Sequence, residues 1–212
     1  MSPGAWRATA CAAPLLLLAW WTAPLSCVAA PGGARALLDH ALRATHDATA
    51  TFHQTRTDAL GTTRSRGRLE YRKPRRLRLE WLGTVPATAI VNDDSVWFYQ
   101  PAQKSVLKGS AAAGGAPPAL FLEESVAALE RTYRVRADGA TGLVLEPRDV
   151  RAPWARLALA LDPQTGWPRR LTLSARDGTR TTLEFGRFRT NRGSTAARFA
   201  PRFPRGTTVV EL

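Results

Sequence analysis

Residues 68–100 read RLEYRKPRRLRLEWLGTVPATAIVNDDSVWFYQ, and this stretch decides the fold. Leu69 and Tyr71 alternate with Arg68, Glu70 and Arg72; after Lys73-Pro74, Leu77, Leu79 and Trp81 alternate with Arg76, Arg78 and Glu80. A period of two places successive side chains on opposite faces of a strand, so each strand has one apolar and one wet face. Asn92-Asp93-Asp94 predicts a turn, because short amide and carboxylate side chains bond their own backbone and tolerate left-handed angles. Val96-Trp97-Phe98-Tyr99 then returns as a further strand. The expected object is a curved antiparallel sheet with an oily inner wall and an arginine-rich outer one.

Outward from this block the pattern persists. Ala34 to Ala50 has Leu37, Leu38, Ala41 and Leu42 at helical spacing, which predicts an amphipathic opening helix. Thr51 to Thr55 leads into a first strand, and Asp58-Ala59-Leu60-Gly61 into the turn after it. Gln103 to Leu107 reads as a short strand and Lys108 to Pro118 as a loop. Ala119 to Leu129 restores helical periodicity, with Leu120 and Val126 on its apolar side. Beyond it the leucine pairs 143/145, 157/159 and 171/173, then Leu183 and Phe185, alternate between turns at Asp138-Gly139, Asp162 to Gly166 and Asp177-Gly178. Thr207 to Val210 predicts a last short strand. The fold class is therefore α+β, an incomplete antiparallel β-barrel of ten or eleven strands with helices over its concave apolar face.

The chain has 212 residues, enough for one domain with a substantial core. Residues 1–30 predict a signal peptide: Arg7 precedes the apolar run Ala12 to Ala23, and Cys27-Val28-Ala29-Ala30 supplies small residues for cleavage. The expected domain is residues 31–212, exported and soluble. Both cysteines, Cys11 and Cys27, fall in the leader, so the mature chain is expected to have no disulfide and no thiolate metal site. Leu25-Ser26-Cys27 leaves lipidation of Cys27 as an alternative, although Pro24 occupies the position where a lipoprotein box wants an aliphatic residue. Removing Arg7 with the leader leaves +12 of the formal +13 charge. Most cations are arginines at alternate strand positions, which favours a solvated convex face over a nucleic-acid groove, and no exposed aromatics interleave with them.

Enzymatic constellations are weak. His40, His46 and His53 are the three histidines, and the first two lie off the three- or four-residue spacing that stacks side chains on one helix face. No HExxH, GxSxG or phosphate-loop pattern occurs, and no cofactor is expected.

The landmarks, in order, resemble the family of periplasmic outer-membrane lipoprotein carriers, LolA. Phe52-His53-Gln54 after a helix is similar to that family's opening strand. Gly67-x-Leu69 with Lys73-Pro74 resembles its strand, basic-proline and strand block. Val91-Asn92-Asp93-Asp94, Val96 to Tyr99 and Gln100-Pro101 resemble its aromatic hairpin, and Phe199 to Val209 its Phe/Pro-rich close. The resemblance implies a half-barrel whose cavity takes lipoprotein acyl chains from an inner-membrane ABC-type lipoprotein-releasing transporter. A monomeric carrier would then hand them to an outer-membrane receptor lipoprotein. On this reading Leu69, Tyr71, Leu77, Leu79, Trp81, Val96 and Phe98 line the acyl-chain cavity, and Lys73, Leu120 and Val126 contact the lid. The family often has arginine where Lys73 stands and phenylalanine where Leu77 stands; a lysine makes fewer directed bonds, so a looser lid is expected. A receptor of the same fold, lipidated at Cys27, is the alternative, and a partner-binding sensor and an enzyme are further competitors.

Overall fold

The computed structural model describes residues 33–110 and 123–211. Helix α1 (Gly33–Ala44) opens it. Strands β1 (Asp47–Asp58), β2 (Gly61–Arg72), β3 (Arg76–Leu82), β4 (Ala87–Asn92), β5 (Ser95–Gln100) and β6 (Ser105–Ser110) follow as an antiparallel meander. Helix α2 (Val126–Thr132) leads into a second meander, β7 (Tyr133–Asp138), β8 (Gly142–Pro147), β9 (Trp154–Leu161), β10 (Pro168–Ala175) and β11 (Arg180–Phe185). The two meanders join because β11 pairs with β1, Phe185 opposite Phe52 and Leu183 opposite Gln54. Strand β12 (Arg189–Thr190) also pairs with β1, and β13 (Thr208–Glu211) adds to β6 in parallel. The thirteen strands thus form one sheet with β7 and β13 as its two edges, and it does not close.

Register carries the apolar alternation across the sheet. Tyr71, Leu77, Val91 and Val96 stand side by side on β2 to β5, and Leu69, Leu79, Ala89 and Phe98 form the next row. On the other meander Leu143, Leu159, Leu171 and Leu183 form a matching row. Gly67 lies between Phe52 and Trp81 in the third row, and a Cβ there would fall 2.3 Å from the Phe52 ring and 2.2 Å from the Glu80 carbonyl. The glycine is what lets Phe52 lie flat across β2.

Both helices pack on the concave face. The α1 side chains Leu38 and Leu42 are fully buried in the same cluster as Tyr71, Leu77, Leu143 and Leu157. Gly166, in the β9–β10 turn, is left-handed and sits where a Cβ would strike the Leu37 carbonyl, which brings that turn against α1. The Val126 N–H donates to Asp39 Oδ1 at 2.9 Å and ties α2 to α1.

Four expectations are corrected. The opening helix ends at Ala44 rather than Ala50, and Asp47 to Ala50 begin a 12-residue β1 instead. What stops it is remote in sequence: Lys73 Nζ donates to the Leu42 and Arg43 carbonyls at 2.6 and 3.3 Å, and Asn191 Nδ2 donates to that of Ala44 at 3.0 Å. The second helix starts at Val126, where the Ser125 hydroxyl accepts from the Ala128 N–H at 3.1 Å as an N-cap, and it runs on to Thr132. Lys108 to Ser110 belong to β6 rather than to a loop. Finally, the convex wall is only partly solvated. The C-terminal segment crosses it: a 3-10 turn at Ala196–Phe199 packs on β3 and β4, Phe199 and Ile90 are fully buried, and Phe203 meets Tyr99 at 5.3 Å. Arg198 chelates both oxygens of Glu70 there. The remainder of the expected loop and second helix, Leu120 included, the signal peptide and Cys27 lie outside the described residues.

Candidate functional site

The apolar face is not filled to its end. Around the half of the sheet near the β1–β2 and β3–β4 turns there is a cavity of about 1000 Å³, at the upper end of the usual range for ligand pockets. Trp81 and Phe98 border it from one meander, and Leu171, Leu173 and Leu183 from the other. β5 and β10 are six strands apart in the sheet. At ~4.8 Å per strand a flat sheet would hold them ~29 Å apart. That both border one cavity shows how tightly the sheet curls.

Its wall is built from aromatic rings set edge to face. Trp81 stands between Phe52, at 5.9 Å and 76°, and Phe98, at 6.0 Å and 69°. The Trp81 indole N–H donates to Gln54 Oε1 at 2.9 Å, which fixes the ring and satisfies its polar edge. Arg56, Arg64 and Arg66, all exposed, also border the cavity, as does Val85 in the β3–β4 loop, which is 75% exposed. Among the described residues no carboxylate lines it. Such a wall can bury an apolar chain. His40, His46 and His53 are exposed, and no group of three or more metal-ligating side chains occurs among the described residues.

The seven sequence candidates divide by position. Leu79, Trp81 and Phe98 border the cavity. Leu69, Tyr71, Leu77 and Val96 share the concave face without bordering the cavity; like Leu79 they belong to the packed cluster that includes the helices, each at most 9% exposed. Tyr71 Oη is buried without a hydrogen-bond partner among the described residues, and burial, helped by Glu124 and Glu123, pushes its ionisation well above the ordinary tyrosine range. Lys73 reaches the end of α1, and Val126 reaches Asp39 of α1. Leu171, Leu173, Leu183 and Gln54 are cavity residues that strand alternation alone did not single out. Their period-two spacing was visible, but which strands face each other across the curl was not.

A family described as "Outer membrane lipoprotein carrier protein LolA" matches residues 43–202. No curated protein matches the sequence. Among solved structures, an uncharacterized conserved protein from Thermus thermophilus is similar at 15% identity and a TM-score of 0.51, covering 84% of this chain and 97% of its own. A LolA superfamily protein from Nitrosomonas europaea is similar at 9% identity and a TM-score of 0.47, covering 80% and 98%. The MucA/MucB complex of Pseudomonas aeruginosa contains a chain similar at 18% identity and a TM-score of 0.44, covering 79% and 59%. At 15% identity the likeness to the Thermus thermophilus protein concerns the fold alone.

Proposed function

The chain belongs to the LolA family of outer membrane lipoprotein carrier proteins, and we propose that it is a periplasmic carrier of lipoprotein acyl chains. The observation that carries this reading is the cavity of about 1000 Å³ walled by Trp81, Phe98, Leu171 and Leu173 at the open end of a curled sheet. An acyl chain in water is costly: burial gains about 0.8 kcal/mol per CH₂, so ~14 methylenes are worth ~11 kcal/mol. A carrier has to supply an apolar wall for that chain, and hand-off favours a broad greasy surface over a fitted pocket. Within the packed half, Leu69, Tyr71, Leu77 and Val96 become lining only when α1 and α2 move off the sheet, with Lys73 and Val126 holding the cover in place. In this scheme residues 1–30 direct export and are removed, an inner-membrane ABC-type transporter loads the carrier, and an outer-membrane receptor lipoprotein unloads it.

Mature protein incubated with lipoprotein-loaded spheroplasts should release lipoprotein into the soluble fraction as a one-to-one complex. Leu79→Glu should abolish release while leaving strand circular dichroism largely intact. Folded wild-type protein that releases nothing beside an active transporter contradicts the carrier reading. Diacylglycerol on Cys27 in membrane fractions would reassign the chain as the receptor of the same fold.

A further inference from the structure

A second groove, of about 1170 Å³, runs along β1 and β2 beside the chain that follows β11 and shares no lining residue with the apolar cavity. Thr49 and Thr51 on β1 and Arg68 on β2 form its floor, with Arg187, Arg189 and Arg192 beside them on the chain that follows β11. All four arginines are exposed, and none forms an ion pair among the described residues. The carboxylates nearby are already engaged. Glu70, which borders the groove, has both oxygens held by Arg198, and Asp47 accepts from the backbone N–H groups of Arg192 and Gly193 at 2.9 and 3.0 Å. The groove therefore concentrates arginines that no ion pair among the described residues engages, and it adds threonine hydroxyls as donors.

We propose that this groove docks the protein on an anionic bilayer through the lipid phosphates. Arginine's planar fork takes phosphate oxygens in pairs, and cations beside an anionic bilayer add their attractions. Charge complementarity selects the occupant class, and the surroundings narrow it. An extended acidic peptide finds no free strand edge, because β1 is paired on both sides, by β2 and by β11 and β12. Nucleic-acid strands find no stacking platform: the Phe188 ring that borders the groove is stacked on Trp167 at 4.8 Å and 17°. A lone phosphate finds exposed guanidiniums spread over separate segments rather than buried donors converging on one point. A plane of many phosphates matches that spread. The proposal uses no cavity residue and stands apart from the carrier reading.

The test is sedimentation of the mature protein with vesicles of phosphatidylcholine alone or with one third phosphatidylglycerol. The expected result is binding only to the anionic vesicles, weakening as salt rises. Removing an arginine beside an anionic surface weakens binding about fivefold, so Arg187→Ala/Arg189→Ala should lose on the order of twentyfold. Arg134→Ala/Arg205→Ala, exposed arginines elsewhere, should change it little. Equal losses in the two double variants would mean that net charge alone is read, and would overturn the proposal. So would binding to both vesicle types alike, to neither, or tighter binding to duplex DNA or inorganic phosphate than to the anionic vesicles. Circular dichroism of each variant establishes that it is folded.

Discussion

Leu77 and Trp81 stand on one strand, four residues apart and on the same face, yet they live in different environments. Leu77 is 1% exposed and packed in the cluster that includes both helices. Trp81 is half-buried, with rings on either side and a cavity in front. The alternation that puts both on the concave wall is identical. What differs is the cover: Leu38 and Leu42 of α1 help to close the first half, and nothing among the described residues closes the second to the same degree. One sheet thus serves as a packed core at one end and as a binding wall at the other.

The sharpest way to break that distinction is to truncate each side. Leu77→Ala should cost about 3 kcal/mol in denaturant unfolding, as a buried leucine whose space cannot refill, and should leave the affinity of the folded protein for an acyl probe nearly unchanged. Trp81→Ala should cost less stability, about 2 kcal/mol, because the ring is only partly buried. It should nevertheless lower acyl-probe affinity at least tenfold. If the two variants behave alike in both assays, the division of the face is wrong.

The cover itself is tested by Lys73→Ala, which removes the cation from the Leu42 and Arg43 carbonyls and should cost about 1 kcal/mol. Hydrogen exchange should accelerate in α1 before it does in β3. Lys73→Arg should retain or strengthen the tie, since a guanidinium offers more donors to the same carbonyls. The smallest effect is a pH dependence at the α1–α2 link. Burial opposes ionisation of Asp39, but the bond from Arg43, the Val126 N–H and the Arg43 charge outweigh it and hold its carboxyl below the ordinary range. A lowered carboxyl contributes stability that is present above its unfolded pKa and lost as pH falls through the folded one. Protection of α2 amides should therefore decline below about pH 4, and Asp39→Asn should remove that step.

The strands were legible because each carries its own evidence: Leu69/Tyr71, Leu77/Leu79/Trp81 and Leu171/Leu173 alternate over a few residues, and Asp or Asn marks the turns. The helix boundaries were less so. Residues 45–50 continue a tolerable helical pattern, and only Lys73 and Asn191, far along the chain, supply the bonds that end α1 at Ala44. The C-terminal segment over the convex face was hidden for the same reason. Phe199 and Phe203 read as a proline-broken edge, and what the segment packs on, β3, β4 and Tyr99, lies about a hundred residues earlier. The cavity was half legible. Trp81 and Phe98 stood on the expected wall, whereas the opposing wall of Leu171, Leu173 and Leu183 depends on how far the sheet curls, which no local pattern encodes.

Carriage turns on where an acyl chain sits. Leucine methyl NMR of the mature protein, titrated with a triacylated lipopeptide, tests this directly. Shifts should appear at Leu79, Leu171, Leu173 and Leu183, which border the cavity, before any at Leu143, Leu145 and Leu157 in the packed half. Saturating lipopeptide that leaves the four cavity leucines unmoved, or perturbs the packed leucines alone, would contradict it.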